Sequence, residues 1–200
     1  MSNLALQMLP LPGERLAGGR VKGSLIRAHV DWVRDYTSRE EMIELFEAIP
    51  ADVRQQISTL LPGAWYDFAT LVALDRTILS IFGSGDVGFL EQLGANTARM
   101  ILPTLSPCLQ HDGVHEFFGR LASLHHQIQE PGTAAYLERT PTTGTMHHRG
   151  CPSVSPLYCA STRGFYRACA TLHGATDVNV TETECQCFGA PACTFSIAWR

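Results

Sequence analysis

The spacing of apolar residues changes once along this 200-residue chain, close to Pro131 and Gly132. Before that point apolar residues recur at steps of three and four, which predicts amphipathic helices, and after it they mostly alternate, which predicts strands. The helices predicted before the change cover about residues 23–36, 38–49, 53–60, 65–81, 86–101 and 112–128. After the change we expect two hairpins, over 134–148 and 177–199, separated by a helix over 157–173. This order predicts an α+β fold in which an N-terminal helical half packs on a C-terminal antiparallel sheet of two hairpins.

The chain divides into an arm and one domain. Residues 1–20 contain Pro10, Pro12 and several glycines, so we expect an irregular N-terminal arm there. Residues 21–200 are expected to form a single domain, with a helical half over 21–132 and a strand-helix-strand half over 133–200.

Composition excludes several classes of protein. Apolar residues make up 45% of the chain and charged residues 17%, which excludes a disordered polar tail. A net charge of −4 provides no general attraction for nucleic acid or an anionic membrane. No apolar run approaches the roughly 18 residues of a membrane-spanning helix, and no basic leader precedes the apolar residues near the N-terminus. We therefore expect a cytoplasmic protein without nucleic-acid or membrane partners.

Seven cysteines are the chain's densest chemical feature, and three of them fall between residues 185 and 193. In a reducing compartment, clustered cysteines are more often metal ligands than disulfides. The turn of the last hairpin can direct several thiols at one point, which favours a structural zinc site with four protein ligands. Besides the cysteines of this turn, ligands could come from Cys159, Cys169 or Cys151, which precede the hairpin, or from Glu182 in its first strand.

These residues resemble a known family. Cys159, the Gly-Phe-Tyr step at 164–166, the Glu-Thr-Glu-Cys step at 182–185 and the Cys-Thr-Phe step at 193–195 resemble the 4-vinyl-reductase-like domain, including the sensor domain of phenol-responsive activators. The resemblance implies a structural zinc ion held by Cys159, Glu182, Cys185 and Cys193, with Cys187 as the nearest competitor. It also implies a small apolar or aromatic effector bound among the helices.

The rest of the chain is similar to the related H-NOX (haem nitric-oxide/oxygen-binding) fold. Residues 21–24 look like the opening of that family, and residues 124–128 fall where its proximal-histidine helix would lie. This similarity implies His125 as axial ligand of a haem, the alternative cofactor. The family's Tyr-x-Ser-x-Arg motif is not found near residues 153–157, and residues 158–163 hold the same residue types at a different spacing.

No catalytic constellation emerges from the remaining polar residues. His111 and His115 are one helical turn apart without the glutamate of a zinc protease, and we expect them and the pair His147 and His148 to be solvated. We therefore expect a binding protein rather than an enzyme: a zinc-stabilised sensor that binds a small apolar molecule and signals through a partner protein or a homodimer. The alternative is a haem-based gas sensor that uses His125.

Overall fold

A computed structural model of the protein describes residues 11–105 and 113–200. Cys108, His111 and the predicted helix cap Asp112 lie outside the described residues. The helices are α1 (Gly23–Tyr36), α2 (Arg39–Ala48), α3 (Ala51–Ser58), α4 (Phe68–Ile81), α5 (Gly88–Leu105), α6 (Val114–Ser123) and α7 (Pro156–Leu172). The strands are β1 (Arg15–Leu16), β2 (Arg20–Lys22), β3 (Trp65–Asp67), β4 (Gln129–Glu130), β5 (Thr133–Thr140), β6 (Thr143–Arg149), β7 (Ser153–Val154), β8 (Asn179–Glu184) and β9 (Cys193–Ala198).

The α+β class and the order of elements are confirmed. The two predicted hairpins, β5–β6 and β8–β9, join into one antiparallel sheet with the order β5-β6-β9-β8. Helix α7 lies between them in the chain, as predicted. Within the sheet Met146 of β6 pairs with Phe195 of β9, and both side chains are fully buried against the helices. The sheet therefore has one face in the core.

Capping residues set helix starts where the sequence predicts them. Ser38 Oγ accepts a hydrogen bond from the backbone N–H of Glu41 at 3.2 Å, and the Glu41 carboxylate accepts one from the N–H of Ser38 at 2.8 Å. This reciprocal capping box begins α2. Asp86 likewise accepts a hydrogen bond from the N–H of Gly88, where α5 begins.

Two helices have ends that differ from the predicted ones. The helix predicted from residue 65 begins only at Phe68, because Trp65–Asp67 pairs with β2 as a short strand. The helix predicted to continue to residue 128 ends at Ser123, and a 3-10 turn, His125–Gln127, follows it. That turn leads directly into β4, which pairs with β2, so sheet pairing overrides the helical periodicity.

Helices α5 and α7 approach each other closely through two glycines. A Cβ atom at Gly94 would lie 1.7 Å from the carbonyl oxygen of Ser161, and one at Gly164 would lie 1.9 Å from that of Glu91. Only glycine leaves room for backbones at this separation. The contact fixes α7 against α5 and so positions both ends of α7 relative to the sheet.

The segment before α1 packs on the domain. β1 pairs with β7, and the buried Glu14 carboxylate contacts the guanidinium of Arg76 and accepts a hydrogen bond from Ser155 Oγ at 2.5 Å. Residues 1–10 of the predicted arm lie outside the described residues. None of the described helices is long and apolar enough to cross a membrane.

Candidate metal centre and adjoining cavity

Four predicted ligands converge on one point. Cys159 lies in the first turns of α7, Glu182 in β8, Cys185 just after β8, and Cys193 at the start of β9. One ligand atom from each lies within 4.8 Å of the others. Within residues 11–105 and 113–200, no other group of three or more His, Cys, Asp or Glu meets this condition. The three Cys residues are buried and the Glu182 side chain is 14% exposed.

The distances between the sulfur atoms match a tetrahedral zinc site. Cys159 Sγ lies 3.8 Å from both Cys185 Sγ and Cys193 Sγ, and the last two lie 4.0 Å apart. Zinc–thiolate bonds of about 2.3 Å in tetrahedral geometry place sulfur atoms about 3.8 Å apart. The Oε1 atom of Glu182 is buried without a hydrogen-bond partner among the described residues, so it is free to serve as the fourth donor. The donor set therefore fits zinc.

Local structure explains why these side chains meet. Ser155 caps α7 by accepting a hydrogen bond from the N–H of Leu157, and Pro156 occupies the first turn, where its missing N–H has no consequence. After Cys185, a 3-10 turn (Gln186–Phe188) ends at Gly189, whose φ of +88° is in the left-handed region that glycine tolerates. The chain thereby reverses and returns Cys193 to the position of Cys185.

The thiols share their protons unequally. Hydrogen bonding from Cys159 lowers the pKa of both Cys185 and Cys193 to about 6, and the same bonds raise the pKa of Cys159 well above its usual value. Burial raises the pKa of Glu182 to about 7. Arg163 lies 3.7 Å from the Glu182 carboxylate and partly offsets this effect. The lowered pKa values favour the thiolate forms of Cys185 and Cys193, and the thiolate is the form that binds metal.

The remaining described cysteines are not members of this group, although Cys187 is hydrogen-bonded to Cys185. Burial raises the pKa of Cys187 and Cys169 well above the usual thiol value, which disfavours the thiolate form in both. Cys151 Sγ donates to the carbonyl oxygen of Arg149 at 3.8 Å, and burial raises its pKa to about 11.

A cavity of about 50 Å³ lies between the helices and the sheet and is lined mainly by apolar side chains. Three histidines line it: His29 from α1, and His125 from the 3-10 turn and His148 from β6, whose ring centroids lie 5.0 Å apart. The Nε2 atom of His148 is hydrogen-bonded to the Tyr166 hydroxyl, whereas Nε2 of His125 has no partner among the described residues. His29 is already bonded to Asp75 at 2.6 Å. His125 is therefore the ring with a free polar atom.

His125 and His148 are both neutral at physiological pH. Burial, reinforced by His126, lowers the pKa of His125 to about 4. Burial, with smaller effects of His125 and His147, lowers the pKa of His148 to about 3. The cavity thus presents neutral imidazoles to a ligand.

The cavity and the thiolate group are connected. A second space of about 20 Å³ is lined by His148, Tyr158, Cys159 and Cys193, and it has room for one water molecule. The side-chain amide of Gln186 donates to the carbonyl oxygen of His148 at 3.3 Å and lies 3.8 Å from Cys193 Sγ. A displacement of His148 would therefore shift Gln186 and change the hydrogen bonding of Cys193 Sγ.

The cavity does not fit a haem. Its volume of about 50 Å³ is well below the roughly 300–1,000 Å³ of sites for drug-sized ligands, and haem is larger than most of these. No Lys or Arg is among the described residues that line it, so nothing there would pair with haem propionates. Residues 158–163 hold the residue types of the family's Tyr-x-Ser-x-Arg motif, and two of them, Tyr158 and Ser161, line the cavity. The Arg163 side chain does not line it and donates to the Glu91 carboxylate at 3.0 Å. The buried, unpartnered His125 Nε2 is the one feature that suits an axial ligand.

Sequence reasoning missed several residues of this region. His148 was expected to be solvated, and that prediction is wrong, because its side chain shares the core face of β6 with Met146. Gln186 carried no motif, and Tyr166 was part of the Gly-Phe-Tyr step of the family resemblance without an assigned role. The period-two spacing of 146 and 148 is the one signal that could have identified His148 as buried.

Comparison with solved structures shows that the fold is similar to that of H-NOX proteins. No protein-family model matches the chain, and no curated protein does. Among solved structures, an H-NOX protein from S. oneidensis in the Fe(II)NO ligation state is similar over 90% of this chain and 99% of its own, with a TM-score of 0.70 and 14% identity. An oxygen-binding H-NOX domain related to soluble guanylate cyclases is similar over 90% of this chain and 95% of its own, with a TM-score of 0.65 and 12% identity. An H-NOX protein mutant from K. algicida, with unliganded Fe(II), is similar over 90% of this chain and 96% of its own, with a TM-score of 0.65 and 12% identity.

Proposed function

We propose that this chain, which has the H-NOX-like fold, is a small-molecule sensor module. Its ligand is an apolar or aromatic molecule bound beside His125 and His148, and its output passes to a partner protein or a second copy of the chain. Zinc held by Cys159, Glu182, Cys185 and Cys193 stabilises the module, as the resemblance to the 4-vinyl-reductase-like domain implies. The observation that carries the proposal is the buried apolar cavity lined by His125, a residue whose Nε2 atom has no hydrogen-bond partner among the described residues.

The size of the cavity supports a role in signalling. An apolar cavity of about 150 Å³ is known to bind benzene, and this one measures only about 50 Å³. An aromatic ligand can therefore enter only if lining side chains move. Because His148 is bonded through Gln186 to the neighbourhood of Cys193, such movement would reach the last hairpin. Binding thus changes structure away from the cavity, as a sensor requires.

Zinc would have a structural role in this account. It would link α7, β8 and β9 through four protein donors, which leaves no open position for a substrate. Glu182 is also the point where the zinc site meets α5, because Arg163 contacts both Glu182 and Glu91. The helical half and the sheet would then share one cross-link.

Binding of phenol and benzene tests the ligand proposal. We expect phenol to raise the melting temperature more than benzene, because its hydroxyl can bond to His125 Nε2, and His125→Ala should remove the difference. In Ala134→Leu, added side-chain volume at the cavity wall should abolish both shifts while the variant stays folded. Equal shifts by both compounds in the wild type and in His125→Ala would contradict the assignment of His125.

A haem-based gas sensor with His125 as axial ligand is the second candidate. The comparisons favour it, since the similar structures are H-NOX proteins described in Fe(II) and gas-bound states. The free Nε2 of His125 favours it as well. The absence of Lys and Arg from the described residues that line the cavity favours the first candidate instead. Titration with haemin separates the two: a Soret band that disappears in His125→Ala would establish the haem sensor.

A further inference from the structure

An open groove of about 700 Å³ lies where the start of α1 meets β3 and the C-terminal part of α5. Lys22 and Arg27 line it together with the ring of Trp65 and the apolar side chains of Met100 and Leu105. Its volume is typical of small-molecule sites, which span roughly 300–1,000 Å³. The groove shares one lining residue, Ile101, with the His125 cavity and none with the thiolate group.

The positive charge in the groove is only partly compensated by carboxylates of the described residues. Lys22 Nζ lies 4.1 Å from the centroid of the Trp65 ring and donates to the carbonyl oxygen of Gly63 at 3.1 Å. Among the described residues, no carboxylate pairs with Lys22, and the groove lining contains no Asp or Glu. Arg27 donates to the carbonyl oxygen of Leu60 at 3.2 Å, and the nearest carboxylate in an ion pair with it, Asp31, lies 4.0 Å away. In a chain with net charge −4, such a local excess of positive charge is a feature that a ligand can use.

We propose that this groove binds a small amphipathic organic anion, a carboxylate or sulfonate attached to a ring or alkyl chain. The acidic group would lie between Lys22 and Arg27, and the apolar part would lie on Trp65 and Met100. Two cations beside an indole ring provide both attractions at once, because charge selects the head group and the ring and thioether cover the body. The carbonyl bonds of both cations hold them in place before the ligand arrives, which lowers the entropy cost of binding. This inference is independent of what the His125 cavity binds.

A matched pair of fluorescent probes tests the proposal: anilinonaphthalene sulfonate, which is anionic, and phenylnaphthylamine, a closely similar ring system without charge. We expect the sulfonate to bind and to quench Trp65 fluorescence, with an affinity that falls as salt is added. The double variant Lys22→Gln/Arg27→Gln should bind it about five- to tenfold more weakly. Arg99→Gln, which removes an exposed cation of α5 outside the groove, should bind it normally.

Two further variants separate this groove from the inner cavity. Trp65→Leu should lose the quenching signal and weaken binding, whereas Ala134→Leu, which narrows the inner cavity, should leave sulfonate binding unchanged. Cooperative thermal unfolding of every variant excludes binding to partly unfolded protein. Equal affinity for the neutral probe, or unchanged sulfonate affinity in the Lys22 and Arg27 double variant, would overturn the proposal.

Discussion

His148 and Cys193 are directly paired residues of β6 and β9, so a side chain that lines the His125 cavity lies opposite a side chain of the thiolate group. Directly opposed residues of an antiparallel pair place their side chains on the same face. The imidazole of His148 is bonded to Tyr166 at the cavity, and Cys193 Sγ lies 3.8 Å from Cys159 Sγ. The cavity and the candidate metal centre are therefore parts of one buried region.

Replacing Cys193 by serine should remove zinc and lower the melting temperature. The hydroxyl is a poor zinc ligand, and the free energy of metal binding contributes to folding. Metal analysis and calorimetry check both results. Cys187→Ala is the matched control, because Cys187 lies in the same turn but outside the four-ligand group, and this variant should keep its zinc. Normal zinc content in Cys193→Ser would remove this residue from the site.

Replacing Gln186 by alanine should weaken zinc binding about tenfold without removing any ligand, the usual result of losing an outer-shell partner. The side-chain amide contacts both Cys193 Sγ and the His148 carbonyl oxygen, while the backbone N–H of Gln186 still donates to Cys193 at 3.4 Å. Competition with a chelator measures the affinity. We also expect phenol to change the zinc affinity of the wild type through His148 and Gln186. This change should be smaller in Gln186→Ala, and an equal change in both proteins would show that Gln186 does not connect the two sites.

Acid should destabilise the fold partly through His125. The folded-state pKa is about 4 and the unfolded value is about 6.5, so the unfolded chain binds more protons between these values. Stability is therefore lost as pH falls from about 6.5 to about 4, by about 3 kcal/mol from this residue. Urea unfolding of wild type and His125→Gln at neutral pH and near pH 4 measures the effect. The variant should lose less stability on acidification, and an equal loss in both proteins would contradict the burial of a neutral His125.

Gly164→Ala should destabilise the protein strongly, because its Cβ would lie 1.9 Å from the carbonyl oxygen of Glu91 and would push α7 away from α5. Gly119→Ala is a matched control within α6, since no atom lies within 4 Å of that Cβ position. Helix propensity predicts a gain of up to about 1 kcal/mol for the control. Thermal unfolding of both variants separates the steric effect at the α5–α7 contact from the general effect of a Gly→Ala change on helix stability. Similar melting temperatures of the two variants would refute the close contact.

Local signals were sufficient for much of the fold. The capping box at Ser38 and Glu41 and the hairpin strands depend on neighbouring residues, and the sequence predicted them correctly. β3 escaped prediction because Trp65–Asp67 becomes a strand only by pairing with β2, which is distant in the chain. The early end of α6 has the same cause, since β4 also pairs with β2.

The candidate site was predictable only in part. Cysteine spacing and the resemblance to the 4-vinyl-reductase-like domain named the four residues whose ligand atoms converge. The contacts around them could not be predicted, because Gln186, Arg163 and Tyr166 acquire their roles from packing between α7, α5 and the sheet. The burial of His148 likewise depends on which face of β6 meets the helices.

The most direct test of this account is metal analysis of the purified, untagged chain combined with its absorption spectrum. We predict about one zinc ion per chain and no Soret band, as expected for four structural ligands and a cavity too small for haem. Iron with a Soret band, in protein that contains no zinc, would contradict the account and favour the haem sensor, whose candidate axial ligand is His125.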